Sequence, residues 1–287
     1  MAALGLPAVI YVIAIAIWPI LQGLWFSLYE YNLIRPRRTE FIGFDNYLRF
    51  FSDPSASASV INTFVFTICA VSIQFVLGLV IALLLWRDDL FNRLSLAFIL
   101  IPLSITPLVF GLVANALLGA DFGLIGYYLA EWGISDPRGM FADQFQAMLA
   151  IILIDVFQWT PLMALILLAG LKSLPPDLLE AAEVDGATAL QRFFMIIVPL
   201  LLPAIFLALV LRTMDAFRIF DSVFVTTRGG PADATNVLMY YSVKEGLEFF
   251  NIGFASAIAT VTLACIGIFA AVFILLIRSA DRRLNMA

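Results

Sequence analysis

The chain contains no histidine. That absence removes imidazole bases, His-ligated metals and the commonest physiological pH switch. Cysteine is nearly missing: Cys69 and Cys265 lie in apolar runs, far apart and without metal-ligand spacing, and read as buried thiols with no role. Charge is scarce as well. Only 13% of the 287 residues are Asp, Glu, Lys or Arg, against about 25% in an ordinary soluble domain. The net charge of −5 argues against nucleic acid as a partner. There is no GxxxxGKS or GxxxxGKT sequence and hence no phosphate-cradling loop. There is no GxSxG turn to present a serine nucleophile, which speaks against a membrane-embedded enzyme. Tandem repeats and low-complexity segments are absent.

Apolar residues fill the space. They make up 63% of the chain, with 26 phenylalanines, and the mean hydropathy is +1.02. One globule cannot bury that much, so lipid has to act as solvent. A helix of about 20 apolar residues crosses the ~30 Å hydrocarbon layer. Six runs qualify, at about residues 7–29, 57–86, 94–120, 144–171, 193–217 and 249–277. They are continuous rather than alternating, which argues against a β-barrel. The expectation is an all-α membrane protein with six transmembrane helices in one domain, residues 1–287. The first run is too long for a cleaved signal peptide and lacks a basic start and a small-residue cleavage site. It begins so close to residue 1 that a longer natural N-terminal tail is left open.

Six spans place both termini on one side. Counting Lys and Arg does not say which side is cytoplasmic: seven fall on the side of the termini and nine on the other. The cluster Arg278, Arg282 and Arg283 after the last span favours cytoplasmic termini. Residues 30–56 include FIGFDNYLRFF, suited to an interfacial helix. Residues 121–143 read as loop with short turns. Gly229-Gly230-Pro231 is a turn by its chemistry.

The connector between the fourth and fifth runs, residues 174–192, is the one long charged stretch between two apolar segments. Pro175-Pro176 stops the fourth helix. Asp177, with Glu180 three residues on, has the form of a capping box for a new helix. Gly186 suits a left-handed C-terminal turn, and Thr188 with Gln191 can cap a second helix. Two short helices jointed at Gly186 follow. Leu178, Leu179 and Ala182 share one side of the first; Asp177, Glu180 and Glu183 form an acidic stripe beside it. A solvated surface loop is one reading. Docking into a groove on another protein is the other, because nothing else in the chain is expected to cover the Leu-bearing side.

Several of these stretches recur together in a known family. Glu180-Ala181-Ala182, Asp185-Gly186-Ala187, then Ile197 and Pro199 resemble the EAA signature of ABC importer permeases. FIGFDNYLRF, Asn62-Thr63, LAGLKSLPPDLLEAAEVDGA and TTRGGPADAT followed by NIGFASAIA resemble its maltose/trehalose/glycerol-phosphate branch, in order along nearly the whole chain. The resemblance implies a type I ABC importer permease fold and a coupling helix carried by Leu179, Glu180, Ala181, Ala182, Asp185 and Gly186. It implies a second homologous permease, two ATPase subunits, an extracytoplasmic sugar-binding protein and a carbohydrate substrate as partners. No cofactor is expected on this chain; ATP and Mg would sit on the ATPase. The implied location is a bacterial or archaeal cytoplasmic membrane, with the connector and both termini in the cytoplasm.

Charge inside a span costs roughly 2.5–3.5 kcal/mol on insertion scales and needs a reason. Asp155 lies near the middle of the fourth run, followed by Gln158, Trp159, Thr160 and Pro161. It can line a cavity or pair with an Arg of another span. Arg212, Asp215, Arg218 and Asp221 alternate in sign at spacing three, either as a self-neutralising ladder or as a cavity lining. On a continuous helix the series drifts by about 60° per step, so not all four can face one cavity. In sugar-carrying relatives the corresponding inward face falls on Arg212, Ala216 and Ile219, of which only Arg212 is polar. The candidate pathway residues are Asp155, Gln158, Arg212, Asp215, Ala216 and Ile219. A buried acid also fits an ion-driven secondary transporter, the main rival.

Overall fold

The structure is a computed structural model. It describes residues 11, 13–119 and 123–284, with side-chain surroundings up to residue 275. Four helices are long and apolar enough to cross a membrane unbroken: Pro54–Leu84, Gln144–Lys172, a helix starting at Ala189, and one starting at Ile252. A bent pair, Leu90–Ser104 with Pro107–Leu118, lies where the third span is expected and counts as a fifth if its halves are taken as one broken span, and Ile13–Phe26 is a shorter apolar helix within the expected first run. Residues 7–10 and 12 of the expected first run lie outside the described residues.

The third span is not the single helix expected over 94–120. Its two halves meet at 92°. Pro102 and Pro107 bracket the break. The residue before a proline is pushed out of the α region, and Thr106, before Pro107, is extended with ψ 141°, as is its neighbour Ile105 with ψ 135°, whereas Ile101 before Pro102 stays helical. A backbone break inside lipid has to find new hydrogen bonds. Here the Gln158 side-chain amide donates to the Ile105 carbonyl at 3.0 Å. Residues 121–143 also hold more structure than loop, since Leu124–Glu131 is helical.

The fourth span is the most enclosed. Asp143 caps it by accepting from the backbone N–H groups of Phe145 and Gln146. Pro161 lies inside it without ending it. Gly78 of the second span lies where a Cβ would come 2.7 Å from Met163 Cγ, and Gly170 lies where one would come 2.5 Å from Ala204 Cβ. Small residues therefore let the second, fourth and fifth spans approach closely, the usual device where lipid removes the hydrophobic drive between helices. Phe66, Ile151, Met163, Leu167, Leu171 and Leu201 form the centre of the resulting core.

On the face opposite the connector, Asp45–Ser52 forms the expected short helix, with Asn46 and Phe50 inward and Leu48 and Phe51 outward. The turn at residues 229–236 is fastened to the start of the second span. Asn62 donates to the carbonyls of Asp233 and Asn236, and the Leu238 N–H donates to Thr63 Oγ1. The Tyr241 hydroxyl donates to Asp53 at 2.6 Å. Burial, and then that carboxylate, push the Tyr241 phenol well above its ordinary pKa, so it stays a donor at working pH. The cysteines are not both buried: Cys69 is exposed and Cys265 half-buried. Cys69 shares the outward face of its span with Ile61, Val65 and Ile68, so its apolar surroundings are not supplied by packing within the chain.

Candidate functional site

Three spans converge on one buried guanidinium. The Arg212 side chain is 3% exposed and its ion-pair partner Asp155 7%. Arg212 Nη2 donates to Asp155 Oδ2, its Nε to Gln74 Oε1 at 2.8 Å, and its Nη1 to Asp215 Oδ2 at 2.6 Å. Gln74 closes the ring by donating to Asp155 Oδ2 at 2.8 Å. The guanidinium also lies 5.2 Å from the centroid of the Trp159 ring, a cation–π distance. Each partner satisfies the others, which is the condition for keeping charge out of water.

The cluster opens on a cavity of about 70 Å³, lined in part by Asp155, Trp159, Arg212, Asp215, Ile219 and Asp221. Asp155 thus both pairs across spans and lines the cavity. Arg212–Asp215 and Arg218–Asp215 pair along the chain as a ladder, the second at 3.7 Å. The helix does not carry the series to Asp221, however. It ends at Ala216, and Asp221 opens a separate short helix after a break. The 60° drift therefore stops short of Asp221, which reaches the cavity through the break. Two candidates lie elsewhere: Gln158 serves the broken third span, and Ala216 packs in the core. Gln74 was not among the expected residues. Its signal was present, since between Asn62 and Arg87 it is the only side chain with an amide or a charge.

The connector forms two helices, Pro176–Val184 and a second beginning at Ala189. Asp177 does not cap the first. Pro176 opens the helix one position earlier, and no side chain caps it, which leaves Asp177 in the first turn, where a carboxylate faces the positive end of the helix dipole. The C-terminal stop is a Schellman turn. Gly186 has φ +81°, its N–H donates to Glu183 O, and the Ala187 N–H donates to Ala182 O, both at 3.0 Å. Thr188 and Gln191 then form the expected capping box. Arg192 spans the joint to Glu183 at 2.7 Å. The Leu-bearing side is covered in part by the chain itself, because Leu179 packs against the membrane core and Ala182 is half-buried. Outward stand Asp177, Leu178, Glu180 and Val184, the last 87% exposed. The fifth span begins directly beyond, through a π-helical turn at Phe193–Ile197.

A bundle of apolar helices with a jointed, charged connector outside it and a buried charge cluster beside a cavity is the architecture of a membrane transport subunit. The chain belongs to the binding-protein-dependent transport system inner membrane components, whose family pattern matches residues 74–286. The trehalose transport system permease protein SugA of Mycobacterium tuberculosis is 36% identical over 275 residues, covering 96% of this chain and 87% of that protein. The trehalose/maltose transport system permease protein MalF of Thermococcus litoralis is 36% identical over 264 residues, covering 90% and 87%. A crystal structure of a bacterial alginate ABC transporter in complex with alginate pentasaccharide-bound periplasmic protein matches with a TM-score of 0.78 at 20% identity, covering 99% of this chain and 94% of that one. The fold is that of a type I ABC importer permease, and the chain is a multi-pass inner membrane protein.

Proposed function

We propose that the chain forms half of the translocation pathway of an ATP-driven carbohydrate importer. A second, similar permease completes the pathway, two ATPase subunits supply energy and hold ATP and Mg, and an extracytoplasmic binding protein delivers the sugar. The carbohydrate class rests on the relatives, which carry trehalose or maltose by name at 36% identity over at least 90% of this chain. The coupling role rests on one observation in this chain: a short exposed helix, stopped at a positive-φ glycine and braced by Glu183–Arg192, leads straight into the fifth span. In this reading Glu180 and Asp185 meet the ATPase, Ala181 and Ala182 keep the helix narrow, Leu179 anchors it to the membrane core, and Gly186 is the joint. The connector and both termini then face the cytoplasm.

The test is uptake by the whole complex in proteoliposomes. Uptake should need ATP and the binding protein. Glu180→Lys, and Gly186→Pro, whose ring removes a donating N–H and cannot take positive φ, should each abolish it while sugar binding to the binding protein persists. Uptake that continues without ATP and collapses with an ion gradient would establish the secondary-transport reading instead. Normal transport in both variants would remove the connector from coupling.

A further inference from the structure

We infer that Asp215 and Asp221, and not Arg212, meet the solute, and that the solute is therefore an uncharged polyhydroxylated sugar rather than a phosphate- or sulfonate-bearing one. The inference rests on the importer reading above and concerns the same cavity.

Arg212 is the residue whose chemistry would welcome an anion, since a guanidinium forks onto phosphate or carboxylate. Its position denies it that role. It is 3% exposed, and each of its three nitrogens already donates, to Gln74, Asp155 and Asp215. Three of its five N–H groups are committed in this way, and an anion reaching the remaining two, one on each Nη, would be set directly beside the carboxylates of Asp155 and Asp215, whose like charge opposes it. Arg212 is thus a positioning residue that holds Asp215 from behind.

The groups left facing the opening are acidic. The Asp215 side chain is 39% exposed. One of its oxygens accepts from Arg212 at 2.6 Å, while the other has only Arg218 at 3.7 Å, so it keeps free acceptor capacity. Asp221 is half-buried at the cavity and has no ion-pair partner among the described residues. Counting all charged residues of the lining gives three carboxylates (Asp155, Asp215, Asp221) against two guanidiniums (Arg212, Arg218), a net of −1. Such a surface repels phosphate and sulfonate. It suits hydroxyl groups, which donate to carboxylate oxygens in charge-assisted hydrogen bonds. The half-buried Trp159 edges the same space, an apolar wall for the C–H face of a sugar ring.

The experiment uses the complete complex with its binding protein in proteoliposomes. Labelled maltose and trehalose are the neutral probes, glycerol 3-phosphate the anionic one and glucosamine the cationic one. ATP-dependent uptake of a disaccharide, with neither charged probe carried, is the expected result. Asp215→Asn and Asp221→Asn should each lower disaccharide uptake about tenfold, the size of one good hydrogen bond, and Asp215→Glu should restore most of it. Preference for glycerol 3-phosphate or glucosamine, or uptake of neither disaccharide, overturns the neutral class. Unchanged uptake in both Asn variants removes the two carboxylates from the site. Disaccharide uptake that needs no ATP leaves the class standing and overturns the importer reading.

Discussion

Arg212 shows how a single charged side chain is made tolerable in the middle of a membrane bundle. It has a carboxylate on either side, an amide on the third nitrogen and an indole ring nearby. Removing one member of such a ring strands the rest. Arg212→Ala should therefore destabilise the detergent-solubilised complex by roughly 3–5 kcal/mol, as for other broken buried pairs. Arg212→Met combined with Asp155→Leu should recover much of that, because no buried charge is then orphaned. Thermal unfolding of both variants checks the comparison; equal losses in the two would show that the pair has net worth beyond mutual neutralisation. The sequence offered a pairing of Asp155 with an arginine of another span, but not which arginine. Asp155 and Arg212 stand 57 positions apart, the first alone in its apolar run and the second at the head of a charged series, and periodicity along one helix carries no information about which face meets which neighbour.

At the scale of the element, local chemistry was legible wherever the deciding residues were adjacent. The joint at Gly186 and the capping box at Thr188 needed only three or four neighbouring side chains, and both formed as expected. The Asp177 cap failed for an equally local reason, since a proline at the first helical position fixes where the helix starts. The bend in the third span was missed because hydropathy is blind to it: IPLSITP carries no charge or amide, and only the two prolines announce a break. The break is supported from another span by Gln158. Gln158→Leu should leave the Ile105 carbonyl unsatisfied and cost about 1–3 kcal/mol. It should also make the third span more susceptible to exchange of its backbone amides, as read by hydrogen exchange in nanodiscs. Unaltered protection around residues 101–106 would mean that the bend holds without Gln158.

Across the whole molecule, six apolar runs were enough to foresee a helical membrane domain, but the arrangement of the helices follows from contacts that sequence spacing does not encode. Gly78 and Gly170 are unremarkable as letters. In space they are the points where neighbouring spans lie too close for a side chain. Cys69 reads as interior by its apolar neighbours and is exposed, because in a lipid-facing protein an apolar neighbourhood does not mean the inside. The connector, in turn, could be assigned a purpose only by reference to a partner that the chain does not contain.

The tie between Gln74, Asp155 and Arg212 has a consequence for motion. The second, fourth and fifth spans are riveted at one depth by charge and packed against each other through Gly78 and Gly170, so sliding any one past another would expose an unpaired ion to lipid. A transport cycle has to move them as a single block, like a panel swinging in its frame. In the importer proposed above, the strain of each swing would fall on the seams outside the block: the bent third span, the sixth span, and any face turned to a second permease. Spin labels on the second and fifth spans should keep their separation between ATP-free and ATP-bound states of the proposed complex, while labels pairing either span with a partner permease should not. A change of several ångströms within the block would show that the rivet opens.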